Sequence, residues 1–555
     1  MKLYYYHDLT SHARLNAAGE DYTPAYIPVM LKNAGYTCCE LTEDSFEAAA
    51  KDAGSVIILG ADTLSDVACA QLKKAISMGC TVIGFGTAAK GIFPTLDTAA
   101  SLGRYDIAGF FSLKDGHPLP VIESFGNAVG YEGEGLGRIT DGSGKVTDAF
   151  FRLSEKVYYF TFDLPATLWR FADGKPADPV SGRTPDCCLL NEDCDYSIAF
   201  ADEYMQIVSD ITTDAGIPRL YPLPQKEGRV ADLLLYFAGD DDAHSAENDM
   251  KASDAMYARG LPYHLNIMPV DYDCNFVIGP QEVAELQRRG HELAVHYDFT
   301  RFAYTPENHR IQTEAFTKAL GVRSICPVNH CLVQRGSSAD QYRIQAACGA
   351  LGDNNLFQTK PDPENINAFN LSGFGFGSAF PLFVLDDAAH KNAPISFCRV
   401  PNSYYEPRIY KDLHEEYRKI SDYLDAGAQH GRTLQLFTHP HYISGVVTDA
   451  APALKALDYA MEYVREKGWN AVLSAPDAVT LWWHARADSA IEDITENGFT
   501  VNDRTEQGAV AVLPCGARNV SINGQSVQPT VKTVGGRELT LLVLNSKNCR
   551  VEFDR

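Results

Sequence analysis

Residues 232–244 read D-L-L-L-Y-F-A-G-D-D-D-A-H, an apolar run that ends in a group of acidic side chains. The apolar part lacks polar alternation, which is typical of a strand buried on both faces of a parallel sheet. Asp240, Asp241 and Asp242 follow directly, and adjacent carboxylates at a strand end are costly unless a positive charge holds them. The stretch therefore predicts a divalent metal site, with a solvated acidic turn as the alternative.

Polar clusters recur along the chain, most of them directly after another apolar run. They occupy residues 291–298, 324–330, 351–355 and 434–441. Their chemically useful side chains are His296, Asp298, His330, Asp353, His439 and His441. In barrels of parallel strands, catalytic groups gather at the carboxyl ends of the strands. A single histidine is more often structural, but the repetition predicts that these clusters meet at one rim.

The order of the clusters resembles the polysaccharide deacetylases, the NodB-like or carbohydrate esterase 4-type family. The matching features are the acidic pair, G-H-E-x-x-x-H at 290–296, a Pro-containing turn at 327, a loose G-x-x-D-like turn at 352–353 and H-P at 439–440. The resemblance covers residues 228–487. It implies a distorted (β/α)₇ barrel, a bound divalent metal ion with Zn²⁺ favoured, and deacetylation of an N-acetylated sugar or small glycoside.

The resemblance also implies roles for the acidic turn and the late histidine. Asp240 aligns with the catalytic base and Asp241 with the metal-binding carboxylate. Asp242 is a rival for the ligand role, because some relatives space their acidic pair by one residue. His439 matches the histidine that acts as general acid. The arginine that orients the base in the family falls where Ile325 stands, so this chain lacks it at that spacing.

The family's second metal motif, H-x-x-x-H, is only half present. His296 matches its first histidine, whereas Thr300 stands in place of the second and is a poor ligand. The missing ligand is then expected from His330, His244 or Asp298, with His330 also a candidate for part of the arginine's role. The remaining polar side chains are predicted to bind substrate: His244, Asp298, Asp353 and His441.

Residues 1–220 predict a separate α/β domain. Apolar strands at 56–59 and 81–83 flank an amphipathic helix at 65–78, the pattern of a doubly wound, flavodoxin-like parallel sheet. The segment resembles class I glutamine amidotransferase-like domains, whose nucleophilic Cys lies in a tight turn after such a strand. Here the turn reads G-F-G-T-A at 84–88 and has no thiol. We expect a non-catalytic domain that serves as a scaffold or mediates homo-oligomerisation.

Residues 495–555 predict a small all-β, β-sandwich-like domain. Short β-forming runs are separated there by turn signals at 523–524 and 535–536. The segment 217–228 has the composition of a linker into the barrel. The predicted fold class is therefore α/β, with a flavodoxin-like or amidotransferase-like domain, then the barrel, then the small β domain.

The composition of the chain limits the classes of partner that it is expected to bind. The chain has 48 Lys and Arg against 72 Asp and Glu, a net charge of −24, which argues against nucleic acid and anionic membranes as partners. No run is apolar for long enough to suggest a spanning helix or a signal peptide, and the 14 cysteines include no C-x-x-C pair. These features predict a cytoplasmic protein with reduced thiols and a carbohydrate substrate.

Two other functions remain open from the sequence. The same barrel could hydrolyse a different bond with its metal ion, such as an ester or a glycosidic linkage. Alternatively, the altered motifs could mark a non-catalytic carbohydrate-binding scaffold. Fold-level resemblance alone does not separate these functions.

Overall fold

The structure is a computed structural model of the 555-residue chain. It describes every residue except 50, 132–133, 178–193, 196, 358–359, 363–364, 371–372, 375 and 410–412. Within these residues, no helix combines the length and the apolar character needed to cross a membrane.

The N-terminal region is an α/β unit with one large mixed sheet. Its strands are β1 Leu3–Tyr6, β2 Cys39–Leu41, β3 Val56–Leu59, β4 Thr81–Phe85, β5 Thr95–Ser101, β6 Ile107–Leu113, β7 Leu119–Ile122, β8 Ser124–Val129, β9 Glu134–Asp141, β10 Val146–Ser154 and β11 Val157–Phe160. Its helices are α1 Leu9–Ala17, α2 Ile27–Asn33, α3 Phe46–Ala49, α4 Asp66–Ser77, α5 Leu164–Asp173 and α6 Phe200–Asp214.

This sheet runs in the order β2-β1-β3-β4-β11-β10-β9-β6-β7. The first five strands pair in parallel, and the rest add an antiparallel extension. Every residue of β3 and β4 is buried, as expected for central strands covered on both faces. Gly86 follows β4 with a φ of 63°, so the turn expected at 84–88 is present.

The central region alternates strands and helices. Its strands, with the two short hairpins that precede or interrupt them, are β12 Arg219–Leu220, β13 Gln225–Lys226, β14 Arg229–Val230, β15 Leu233–Asp240, β16 His264–Ile267, β17 Glu292–Tyr297, β18 Val328–Asn329, β19 Gly352–Phe357, β20 Lys360–Asp362, β21 Asn365–Asn370, β22 Leu382–Leu385, β23 Pro394–Asn402, β24 Thr433–Phe437 and β25 Ala471–Ser474. Its helices are α7 Ala246–Tyr257, α8 Pro280–Arg288, α9 Pro306–Leu320, α10 Ser338–Ala347, α11 Leu413–His430, α12 Pro440–Ile443, α13 Ala451–Glu466 and α14 Pro476–Ala487.

A curled parallel sheet, a half-barrel, organises this region. Its order is β18-β17-β16-β15-β24, and β25 pairs with the first half of β15 while β16 pairs with the last residues of β15. All eight residues of β15 are buried. The apolar part of residues 232–244 therefore forms β15, which lies inside the sheet between β16 and β24. The acidic residues at its end lie at the carboxyl rim.

The C-terminal region consists of two antiparallel sheets. Its strands are β26 Ala490–Thr495, β27 Gly498–Asn502, β28 Val510–Val512, β29 Arg518–Ile522, β30 Gln525–Ser526, β31 Thr530–Val534, β32 Arg537–Val543 and β33 Asn548–Asp554. One sheet runs β26-β27-β33-β29-β30 and the other β12-β28-β32-β31. The second sheet thus takes its edge strand from residues 219–220, far upstream in the chain.

The segment that composition suggests as a linker is firmly packed. Leu220, Tyr221 and Leu223 are buried, and β12 hydrogen-bonds to β28. One hydrophobic cluster, contiguous in space, contains Leu3 from the N-terminal region, these residues and Phe553 from the C-terminal region. The three regions consequently share a core instead of meeting through a flexible tether.

Candidate active site

Polar side chains from the ends of several strands lie together at the carboxyl rim of the half-barrel. Asp240 is the last residue of β15, and His296 is the penultimate residue of β17. His330 follows β18 directly, and His439 lies two residues after β24. The expectation that these clusters meet at one rim agrees with their placement for these four residues.

Asp242, His296 and His330 form a group whose ligand atoms all lie within 4.8 Å of one another. The His296 Nε2 atom is 3.4 Å from Asp242 Oδ1, and the His330 Nε2 atom is 3.8 Å from the same oxygen. One carboxylate and two imidazoles are a donor set that suits Zn²⁺ and similar divalent ions.

The surroundings of His296 fit a metal ligand. Its Nδ1–H donates to the main-chain oxygen of Val328 at 3.2 Å, which leaves the lone pair on Nε2. That Nε2 is buried and has no hydrogen-bond partner in the described part of the chain. A buried ring nitrogen without a partner, facing a carboxylate, is the observation expected of a ligand position.

His330 is positioned by a second carboxylate. Its Nδ1 lies 3.8 Å from Asp298 Oδ1, while its Nε2 faces Asp242. Burial by itself lowers the pKa of His330, but Asp298 and Asp242 raise it to about 10. The position therefore strongly favours a cation, whether a proton on the ring or a metal ion beside it.

Thr300 takes no part in the group. Its hydroxyl donates to Asp298 Oδ1 at 2.6 Å, and the main-chain N–H groups of Thr300 and Arg301 donate to the same oxygen. Burial would raise the pKa of Asp298, yet His330 and these hydrogen bonds hold it well below its usual range. Asp298 is thus an ionised carboxylate beside His330, and His330, not Thr300, belongs to the group of three ligand atoms.

Asp241 is not a member of this group. Its side chain is fully buried beside Asp249 on α7, and its main-chain N–H donates to Asn266 O at 2.9 Å. Burial raises the pKa of both carboxyls, and for Asp249 the charge of Asp241 adds to the effect. Of the two acidic residues that compete for the ligand role, only Asp242 lies with the histidines.

Asp240 is held by an amide. Asn266 on β16 donates its Nδ2–H to Asp240 Oδ1 at 2.8 Å, and Asp240 Oδ2 lies 3.6 Å from His296 Nε2. Asn266 therefore fixes the orientation of the Asp240 carboxylate. The sequence H-L-N-I at residues 264–267 did not single out Asn266, because an asparagine near the end of a strand is common without function.

His439 forms a pair with Glu406. The His439 Nδ1–H donates to Glu406 Oε1, and the His439 main-chain N–H donates to the same oxygen at 2.9 Å. On its other side, His439 Nε2 is 3.2 Å from Asp242 Oδ2. Burial would lower the pKa of His439, but Glu406 and Asp242 raise it well above its ordinary value. The imidazolium form of His439 is therefore strongly favoured.

Glu406 was not among the residues singled out from the sequence. It follows β23 in the stretch P-N-S-Y-Y-E-P, an ionisable side chain shortly after a strand, as in the other clusters. Its φ of 54° is unusual for a residue with a side chain, and such strain is concentrated at functional sites.

The residues expected to bind substrate divide into two groups. His244, with a φ of 48°, lies close to Asp298 and Arg301, and the His441 ring centroid is 5.1 Å from that of His439. Both lie beside the rim histidines, and we call the space around Asp242, His296, His330 and His439 the cleft. Asp353 does not reach it. It lies at the start of β19 and not at the carboxyl end of that strand. Its side chain is buried, with Gln341, Asn355 and Arg399 as neighbours.

A second histidine–carboxylate group lies at the opposite end of the strands. His264 Nε2 is 3.0 Å from Asp477 Oδ1, and Glu292 accepts the main-chain N–H groups of Asp477 and Ala478 at 2.8 and 2.9 Å. These bonds cap the start of α14 and tie it to β16 and β17. We interpret this group as structural.

No protein-family model matches the chain, and neither does any curated protein. Several solved structures are similar over about half of it. A family 4 carbohydrate esterase from Bacillus subtilis is 13% identical over 54% of this chain and 92% of its own, with a TM-score of 0.24. A chitin deacetylase from Colletotrichum lindemuthianum is 11% identical over 45% and 88%, also with a TM-score of 0.24. The catalytic domain of a peptidoglycan N-acetylglucosamine deacetylase from Eubacterium rectale is 9% identical over 46% and 96%, with a TM-score of 0.23.

Proposed function

We propose that the protein is a metal-dependent deacetylase of an N-acetylated sugar or small glycoside. The single observation that carries the proposal is the placement of Asp242, His296 and His330 between a carboxylate and an imidazolium. Asp240 lies on one side of that group, and His439 with Glu406 lies on the other. This is the arrangement that hydrolysis of an amide requires: a base, an acid and a cation between them.

The proposed metal ligands are Asp242, His296 and His330, and Zn²⁺ suits their chemistry best. A bound divalent ion supplies Lewis acidity, which polarises an acetyl carbonyl and makes a nearby water more acidic. Asp240, oriented by Asn266, accepts the proton of the attacking water. His439, held as an imidazolium by Glu406, donates a proton to the departing amine, which is a poor leaving group until it is protonated.

The rim of the cleft supports a sugar as the substrate. Tyr272, 72% exposed, and Phe302 lie on the loops after β16 and β17, with ring centroids 5.5 Å apart. They offer apolar faces, while His244 and His441 offer polar groups beside the histidines of the rim. Aromatic faces together with hydrogen-bonding groups suit a pyranose ring, which has both polar edges and apolar faces.

We propose further that residues 228–487 form a distorted (β/α)₇ barrel and carry the activity. Backbone hydrogen bonds from Asn354 N to Pro327 O and from Phe437 N to Tyr404 O place β19 beside β18 and β23 beside β24. Residues 1–220 are proposed as a non-catalytic amidotransferase-like domain, because Gly86 stands at the sharp turn after β4. Residues 495–555, with β26, are proposed as the β-sandwich-like domain.

Metal content and acetate release test the proposal together. The purified protein is expected to bind about one divalent ion and to release acetate from N-acetylglucosamine oligomers. His296→Ala should lose both properties, whereas the exposed His390→Ala, from a surface Asp386–Asp387–His390 group, should lose neither. Acetate from O-acetyl sugars alone would replace the proposal by an esterase, and sugar binding without acetate release by a scaffold.

A further inference from the structure

A cavity of about 100 Å³ lies where the N-terminal, central and C-terminal regions meet. Its walls come from α2, α5 and α6, from the segment after β12, from α14, and from the turn after β31. That volume holds several water molecules or a small organic molecule. Its apolar lining includes Met30, Leu168, Met205, Phe380 and Trp483. None of the cleft residues named above lines it.

The charges on its walls do not balance. The ionisable lining residues are three arginines, two carboxylates and one histidine: Arg219, Arg432, Arg486, Asp202, Glu203 and His430. Arg432 pairs with Glu203 at 3.2 Å, and Asp202, whose pKa burial raises only to about 6, is still ionised at neutral pH. Burial and Arg432 lower the pKa of His430 to about 4, so it is neutral. One positive charge is left over.

Arg219 and Arg486 are the lining cations that carry the surplus, because Asp210, the carboxylate on which the charge of Arg219 acts, pairs with Arg537 at 2.9 Å. Neither guanidinium has a carboxylate within 4.0 Å among the described residues. Arg486 donates to the main-chain oxygens of Asn33, Leu220 and Tyr221, whereas Arg219 makes one hydrogen bond within the described residues, to Ala34 O at 3.3 Å. Burial and the charge of Arg219 together lower the pKa of Arg486 to about 9. Two buried cations side by side call for an anion.

Other donors in the lining also lack acceptors. The Tyr221 hydroxyl and the Trp483 indole N–H are buried and make no hydrogen bond within the part of the chain described. The Arg219 Nε–H also makes no hydrogen bond within the described residues, and Arg219 is only 7% exposed. Buried donors without partners are rare in folded proteins, and several around one cavity indicate a ligand with acceptor oxygens.

We propose that this cavity binds a small monocarboxylate with an apolar body. The carboxylate pairs with Arg219, whose planar guanidinium matches it, and the body packs against Phe380 and Trp483. A monoanion fits the single surplus charge, and Asp202 and Glu203 in the same lining repel a dianion. The ligand joins three regions of the chain, and its binding is independent of the deacetylase proposed above.

Calorimetric titration of the full-length, metal-loaded protein tests this proposal. The probes are hexanoate and benzoate, their neutral counterparts hexanol and benzyl alcohol, and inorganic phosphate. We expect both carboxylates to bind with Kd below about 1 mM, and the alcohols and phosphate at least about tenfold more weakly. Arg219→Met should weaken carboxylate binding about tenfold or more. The matched control Arg259→Met, whose guanidinium pairs with Asp458 outside the cavity, should not.

Three outcomes of these titrations would overturn the proposal, and a fourth comes from a cavity-filling variant. The first three are no saturable binding of either carboxylate up to ~20 mM, equal binding by the Arg219→Met variant, and equal binding of phosphate. Met205→Trp fills part of the cavity and keeps the charges, so it replaces Arg219→Met if that variant does not fold. Carboxylate binding that survives this filling would also overturn it. Acetate release by the same samples reports separately on the cleft.

Discussion

Replacing Glu406 by Gln tests the proposed acid most sharply. Glu406 Oε1 accepts both the side-chain Nδ1–H and the main-chain N–H of His439, and both residues are buried. Gln preserves the shape and can still accept these hydrogen bonds, but it removes the negative charge. Once a metal ion neutralises Asp242, Glu406 is the main group that holds the proton on His439.

The size of the effect follows from this geometry. An opposite charge in contact with a buried group shifts its pKa by about one to three units. Loss of about two units is about 2.7 kcal/mol of preference for the imidazolium. We therefore expect amide turnover by Glu406→Gln to fall about 100-fold, within the range of general acid catalysis. Metal content should not change, because Glu406 is outside the ligand group.

Two substrates provide the assay. Acetate release from an N-acetyl sugar needs a protonated leaving amine, whereas a nitrophenyl acetate does not. The kcat of Glu406→Gln should fall about 100-fold for the amide and less than about threefold for the activated ester. Glu416→Gln, which removes a carboxylate bonded to Tyr404 nearby, is the matched control. An equal loss on both substrates would refute the acid role of His439 and favour the esterase.

Three further predictions concern metal, pH and the domain junction. Asp242→Asn and His330→Ala should each reduce bound metal, measured by elemental analysis, at least about tenfold, whereas Asp241→Asn should keep it, because Asp241 faces Asp249. Burial lowers the pKa of His309 to about 4, below the ordinary value of about 6.5 that its imidazole has in the unfolded chain. The contribution of the neutral, buried ring to stability is therefore complete above about pH 6.5. About 3 kcal/mol of the free energy of unfolding should be lost as the pH falls from 6.5 to 4, and His309→Gln should flatten that part of the profile. Deleting residues 1–220 should lower the thermal midpoint or prevent folding, because it removes β12 and exposes Trp483.

Each of these has its own contrary result. Metal retained by His330→Ala but lost by Asp241→Asn would restore Asp241 as the ligand. An unfolding profile of His309→Gln with the same pH dependence as the parent would show that other groups control acid unfolding, and exposed His390→Ala is the control. A stable, fully active fragment without residues 1–220 would show that the shared core is dispensable. The thiol-free turn at Gly86 also predicts no glutaminase activity, and measurable ammonia release from glutamine would contradict it.

The sequence alone determined several of the strands and the order of the polar clusters. Apolar runs at 56–59, 81–83, 291–296 and 434–438 correspond to strands of the structure within a residue or two. The reason is local: a short apolar run without polar alternation favours a strand buried on both faces, and the length of these runs is that of a strand and not of a helix. The same logic correctly placed Asp240, His296, His330 and His439 at one rim.

Only the tertiary structure decided which side chains face one another. Asp241 and Asp242 are adjacent, yet one faces α7 and the other the histidines, because the chain turns sharply after β15. Asn266 on β16 bonds to Asp240 from 26 residues away, and Glu406 after β23 bonds to His439 from 33 residues away, so no local spacing predicted these contacts. Asp353, which the sequence predicted to bind substrate, lies away from the cleft because its cluster stands at the start of β19 and not at the carboxyl end. The packed segment at 217–228 was equally invisible, since pairing of β12 with β28 joins residues almost 300 positions apart. Such contacts depend on distances in space, which composition and periodicity do not contain.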